Sequence, residues 1–93
     1  MEIRIVDLAW GFDRVTGKKE ERQVDEATFP AKLGKLGPMG PLNRYFEVVA
    51  FTDHNVTIQV NDAGKQVTIE QGNHYLHAPA LATGGHRFLI ELR

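Results

Sequence analysis

Val56, Ile58 and Val60 alternate with Thr57, Gln59 and Asn61. This two-residue period constrains the chain more than any other feature, because it demands a strand with one face on a core and the other in water. The period recurs. Val6, Leu8, Trp10 and Phe12 alternate with Asp7, Ala9, Gly11 and Asp13 near the start, and Phe88, Ile90 and Leu92 do so at the end. Turn-forming clusters stand between these runs: Thr16-Gly17-Lys18, Asp53-His54-Asn55, Asn61-Asp62-Ala63-Gly64 and Gln71-Gly72-Asn73. The chain therefore reads as mainly β and antiparallel, with the segment from residue 44 to residue 93 forming a meander.

The N-terminal part carries two further expectations. Ile3 and Ile5 fall on the opposite parity to Val6 and Leu8, so the first strand is either bulged near Ile5-Val6 or covered on both faces. After Gly17 a charged strand, Glu20 to Asp25, returns antiparallel as an exposed sheet edge, where charges discourage uncontrolled pairing. One short helix is expected near residues 28–36, with Thr28 as N-cap and Phe29, Leu33 and Leu36 on one stripe. Gly37-Pro38-Met39-Gly40-Pro41 then breaks the chain, and the stretch 37–43 is expected to be a loop that presents Met39.

At 93 residues the chain has room for one core of ordinary size. A hydrophobic fraction of 42% with 25% charged residues is that of a folded globule. The expected organisation is one domain: hairpin and helix 1–36, loop 37–43, meander 44–93. There is no cysteine, hence no disulfide, thiolate metal site or thiol nucleophile; serine is absent too, which removes the serine triad. Charges interrupt the apolar residues from Glu2 to Asp7, so neither a signal peptide nor a membrane span is expected there, and a soluble cytoplasmic protein is. Eleven basic against twelve acidic residues, without a basic stripe, argue against nucleic acid as a partner.

Chemistry-bearing residues are few. Of the four histidines, His74, His77 and His86 lie close together in sequence. If residues 79–85 form a hairpin loop, His77 opposes Arg87 and His74 opposes Ile90. His74 and His77 then face opposite sides of the sheet. His74 and His86 share a face at about 13 Å, counting roughly 3.3 Å per residue, which is too far for two zinc ligands. No metal site is expected, with His86 the one candidate ligand, and no cofactor. Glu47 shares the parity of Tyr45, Val49 and Phe51, so burial of that face would require a partner for its carboxylate.

The segment Gly72-Asn73-His74-Tyr75-Leu76-His77-Ala78-Pro79, followed by Gly84-Gly85-His86-Arg87-Phe88, resembles the second conserved motif of cupins. The resemblance implies a jelly-roll-like topology and carries a metal-ligand role over to His86 alone. The interval from Pro79 to His86 is longer than in that family. Its first motif, with paired histidines and a glutamate, is missing between Arg44 and Val60, where only His54 stands.

The expected architecture is an antiparallel β sandwich or open barrel of about seven strands. Strands near residues 3–12 and 44–52 look apolar on both faces, more than one short helix can cover. A homodimer or higher oligomer is therefore expected, burying Trp10, Phe12, Met39, Tyr45 or Phe51 against a partner. Two functions stand: a binding or assembly module without catalysis, or a cupin-like small-molecule site lined by His74, Tyr75, His77 and His86, with Glu47 as a further candidate.

Overall fold

The computed structural model describes residues 1–60, 64–78 and 84–93. They form eight strands: β1 (Glu2–Phe12), β2 (Lys19–Pro30), β3 (Gly34–Met39), β4 (Arg44–Phe51), β5 (Asn55–Gln59), β6 (Gln66–Glu70), β7 (His74–His77) and β8 (Gly84–Leu92). Two antiparallel sheets of four strands, ordered β2-β1-β8-β7 and β3-β4-β5-β6, face each other as a sandwich. The core lies between them. Ile3, Ile5, Phe88, Ile90 and Leu92 come from the first sheet, and Leu36, Met39, Phe46, Val48, Val56, Ile58, Val60 and Ile69 from the second. At its centre the Phe46 and Phe88 rings meet edge to face, 5.3 Å between centroids.

Strand alternation explains the choice of inner residues. Ile3, Ile5, Asp7, Ala9 and Gly11 oppose Leu92, Ile90, Phe88, His86 and Gly84 across the β1/β8 ladder, so all ten share the inner face. The other parity, Val6, Leu8, Trp10 and Phe12, faces outward. The conflict of parity in β1 is thus resolved by two faces, without a bulge at Ile5-Val6. The irregularity lies between Asp7 and Leu8, where Val24 of β2 drops out of the register.

The expected helix is not formed, and no helix of any kind occurs among the described residues. Thr28 to Pro30 complete β2, with Phe29 opposite Ile3, and Gly34 begins β3. Cross-strand pairing wins because it buries Phe29 and Leu36 against one core, whereas Leu33 of the supposed stripe stays 62% exposed. Gly34 and Gly37 both sit at φ near +124°, which no helix accommodates. The loop expected at 37–43 is shorter as well. Gly37 to Met39 belong to β3, and the turn proper is closed by the Asn43 amide donating to the Gly40 carbonyl at 3.1 Å. A Cβ on Gly37 would stand 2.7 Å from the Arg44 carbonyl oxygen, so this crossing of β3 over β4 requires glycine.

The expected meander is divided between the layers. β4, β5 and β6 run consecutively in the second sheet, while β7 and β8 join β1 in the first. Neighbouring strands in the second sheet are consecutive in sequence, without the interleaving of two Greek keys, so the jelly-roll-like topology is not formed. β4 is central in its sheet, but only one of its faces is covered: Phe46 and Val48 are buried, whereas Tyr45 is 43% exposed. Of the loops expected from sequence, residues 61–63 and 79–83 lie outside the described residues. No helix among the described residues is long and apolar enough to cross a membrane.

Candidate functional site

The histidines are placed by the register of β7 on β8. His74 pairs with Glu91, Tyr75 with Ile90, Leu76 with Leu89 and His77 with Phe88. This is one residue away from the register expected from loop length, and a one-residue slip exchanges the faces of an entire strand. His77, and not His74, therefore shares a face with His86. Tyr75 and His77 on β7 stack at 6.4 Å between ring centroids; His86 and Phe88 on β8 do the same beside them. Both stacks face the second sheet, with His77 buried. His74 is exposed on the far side, beside Asn73, Glu91 and Arg93 near the chain ends.

Beneath His86 lies the feature that the sequence reading missed. Asp7, given no role in the sequence reading, is fully buried, and its Oδ1 shares a hydrogen bond with His86 Nδ1 at 2.6 Å. The clue was present in the parity of Ile3, Ile5 and Asp7. With Nδ1 engaged by the carboxyl group, Nε2 is the atom that His86 can offer elsewhere. Asp25, directly across the ladder from Asp7, accepts the Gly40 amide at 2.7 Å through Oδ2 and the Glu26 amide at 2.8 Å through Oδ1. Asp25 thereby clips the β3–β4 turn onto the first sheet. Gly40 closes over Asp7, and a Cβ at that position would collide with Asp7 Oδ2. No donor among the described residues reaches that oxygen. On the opposite wall Arg44 donates to the Val60 carbonyl at 2.7 Å, its guanidinium 5.1 Å from the Phe88 ring.

This inner end can orient an imidazole and present its free nitrogen to a polar ligand. No group of three His, Asp or Glu side chains among the described residues converges closely enough to hold a metal ion. Glu47, expected beside the histidines, is on the outer face of the other sheet, with Lys35, Tyr45 and Gln59 around it.

The five residues expected at a partner interface do not form one surface. Met39 is buried in the core at 3% exposure, so it is not presented by a loop. Tyr45 belongs to the outer face of the second sheet, with the Lys35 ammonium 5.9 Å from its ring. Phe51 pairs with Val56 after a register shift at Val49 and stands half exposed at the rim. Trp10 and Phe12 do stay together. Their rings meet edge to face at 5.9 Å on the outer face of the first sheet, with Leu8 the next outward residue of β1, while Leu89 and the exposed Leu76 lie farther along that face in the row of Val6. Arg87 and Lys19 lie 5.1 and 5.3 Å from the Trp10 ring, and Arg87 also pairs with Glu21 at 3.2 Å.

Fold and site together define an all-β sandwich with a polar inner end and an aromatic outer face. Compared with known proteins, the chain matches no family model, no curated protein and no solved structure.

Proposed function

We propose that this protein is a small binding or assembly module that works as a homo-oligomer. The outer face of the β2-β1-β8-β7 sheet carries the argument. It displays Leu8, Trp10, Phe12, Leu76 and Leu89, with Phe12 50% and Leu76 44% exposed, on a sheet whose other side already supplies half the core. Apolar surface of this kind is favourable to remove from water, and a second chain is the simplest cover. Sedimentation or light scattering at micromolar concentration is expected to give a mass of twice the 10.4 kDa chain or more. A monomer there overturns the proposal.

A second reading, a small-molecule site, is favoured by the Asp7–His86 contact and by Tyr75, His77 and His86 sharing one face. A buried carboxylate that fixes an imidazole is a usual way to hold that ring for a ligand. A thermal-shift screen with small anions and with zinc, nickel and iron tests it. A stabilisation of several degrees that disappears in His86→Ala supports the reading, and no shift with any compound sinks it.

A further inference from the structure

Of the four sheet edges, three are short or broken. β7 spans only His74–His77, β6 spans Gln66–Glu70, and β3 contains Pro38. Such edges are poor templates for a further strand. The β2 edge differs. It runs from Lys19 without a proline until Pro30, and its part from Lys19 to Gln23 is exposed throughout. Val24, out of register, and Asp25, held by the Gly40 amide, end this open stretch.

The charges along it are ordered by face. Glu20 and Arg22 oppose Gly11 and Ala9, so they lie on the inner side; Lys19 and Glu21 oppose Phe12 and Trp10 on the outer side. The outer charges are already engaged, Glu21 with Arg87 and Lys19 over Trp10. Glu20 and Arg22 make no ion pair among the described residues, although they project at the rim beside neighbours that add no bulk. A strand that joins antiparallel about a two-fold axis through Glu21 places each Glu20 opposite the other chain's Arg22. Lys19 then faces Gln23, and the two glutamates at the axis each keep their Arg87. The next register toward the hairpin turn, centred on Glu20, also pairs Lys19 with Glu21, but it sets Lys18 against Arg22 and the two Glu20 carboxylates, which have no arginine beside them, against each other. Mixed charges on an edge thus reject most strands while selecting one arrangement.

We infer that the Lys19–Gln23 edge of β2 is the seam of the oligomer, where a second copy of this chain adds antiparallel about Glu21 to form one continuous eight-stranded sheet. The inference rests on the homo-oligomer reading above and adds a contact at the sheet edge, which extends the outer apolar face from one copy to the next without covering it. In that sheet Trp10, Glu21 and their symmetry mates fall in one row across four strands, which joins the two aromatic faces across the seam.

Charge reversal at exposed positions tests the seam. In Glu20→Arg the new arginine faces Arg22 of the other copy, and in Arg22→Glu two glutamates meet. Each variant alone is expected to dissociate at a concentration about tenfold or more above wild type, since opposite-charge cross-strand pairs become like-charge pairs twice per dimer. Mixed in equal amounts, the two variants regain complementarity at both pairs and form a 1:1 heterodimer in native mass spectrometry. The double variant E20R/R22E recovers the wild-type homodimer, which also controls for folding. Variants that stay dimeric, or a mixture that gains no heterodimer, overturn the seam while the oligomer reading stands. A monomeric wild type overturns both.

Discussion

Asp7 shows how a single side chain can be set by its row in a sheet. Its neighbours on the inner face, Ile3 and Ile5, place it in the core by alternation, and burial then obliges its oxygens to find partners. His86 meets one of them, while the other, closed over by the turn at Gly40, meets no donor among the described residues. Gly40 is at φ +70°, so alanine there faces both backbone strain and collision with Asp7. Gly40→Ala is expected to cost about 2 kcal/mol or more in denaturant unfolding, with roughly 1–2 of that from the left-handed conformation. In the background of Asp7→Ala the collision is gone. The cost of Gly40→Ala should then fall by about 1 kcal/mol, a coupling that a double-mutant cycle reads directly. Equal costs in both backgrounds would contradict the close approach.

Among the elements, the β1–β2 hairpin carries the polar interactions with the clearest pH signature. Its turn is organised by Asp13, whose carboxylate accepts the Val15 and Thr16 amides at 2.7 and 2.8 Å. Those hydrogen bonds, that from Thr16 first, hold the Asp13 carboxyl below its usual 3.8. Farther along, Arg4 donates to Glu26 at 2.6 Å and holds that carboxyl below its usual 4.5. Both groups bind their proton less readily folded than unfolded. Their stabilisation is therefore complete above those usual values and is lost as pH falls through the depressed ones. Glu26→Gln is expected to be less stable than wild type at neutral pH, and melting curves of the two should converge as the pH falls below 4.5 and through the depressed value. A gap that persists in acid would show that Glu26 acts by packing.

β3 illustrates the opposite lesson. With the end of β2 before it, it carries a helix cap, an apolar stripe at helical spacing and a stop signal, all genuine local preferences, yet Thr28 to Pro30 close β2, residues 31–33 bend and Gly34 opens β3. Local preference is worth fractions of a kcal/mol per residue, whereas burying Phe29 and Leu36 across two ladders is worth more. Length was the warning, because a helix of so few residues has little stability of its own.

For the whole molecule, the two sheets have different outward faces. The second sheet shows Tyr45, Glu47 and Gln59 outside, while the first shows Leu8, Trp10, Phe12, Leu76 and Leu89 interleaved with ion-paired Arg4, Arg87, Glu21 and Glu26, beside a long free edge. The molecule measures 48 × 25 × 19 Å, and β8 supports β1 as far as Gly11, so past that point only Phe12 and Lys19 pair before the hairpin turn.

The sequence by itself determined the fold class, most of the strands and most of the core, because alternation is a local property that burial on one face imposes on every strand. It also separated His74 from His77, whose spacing of three puts them on opposite faces in any register. Tertiary structure alone decided which strands share a sheet, that residues 28–36 extend instead of coiling, and that His86 meets Asp7 from the other end of the chain. Those outcomes depend on pairing between distant segments, where a shift of one residue exchanges faces and no local signal fixes the choice.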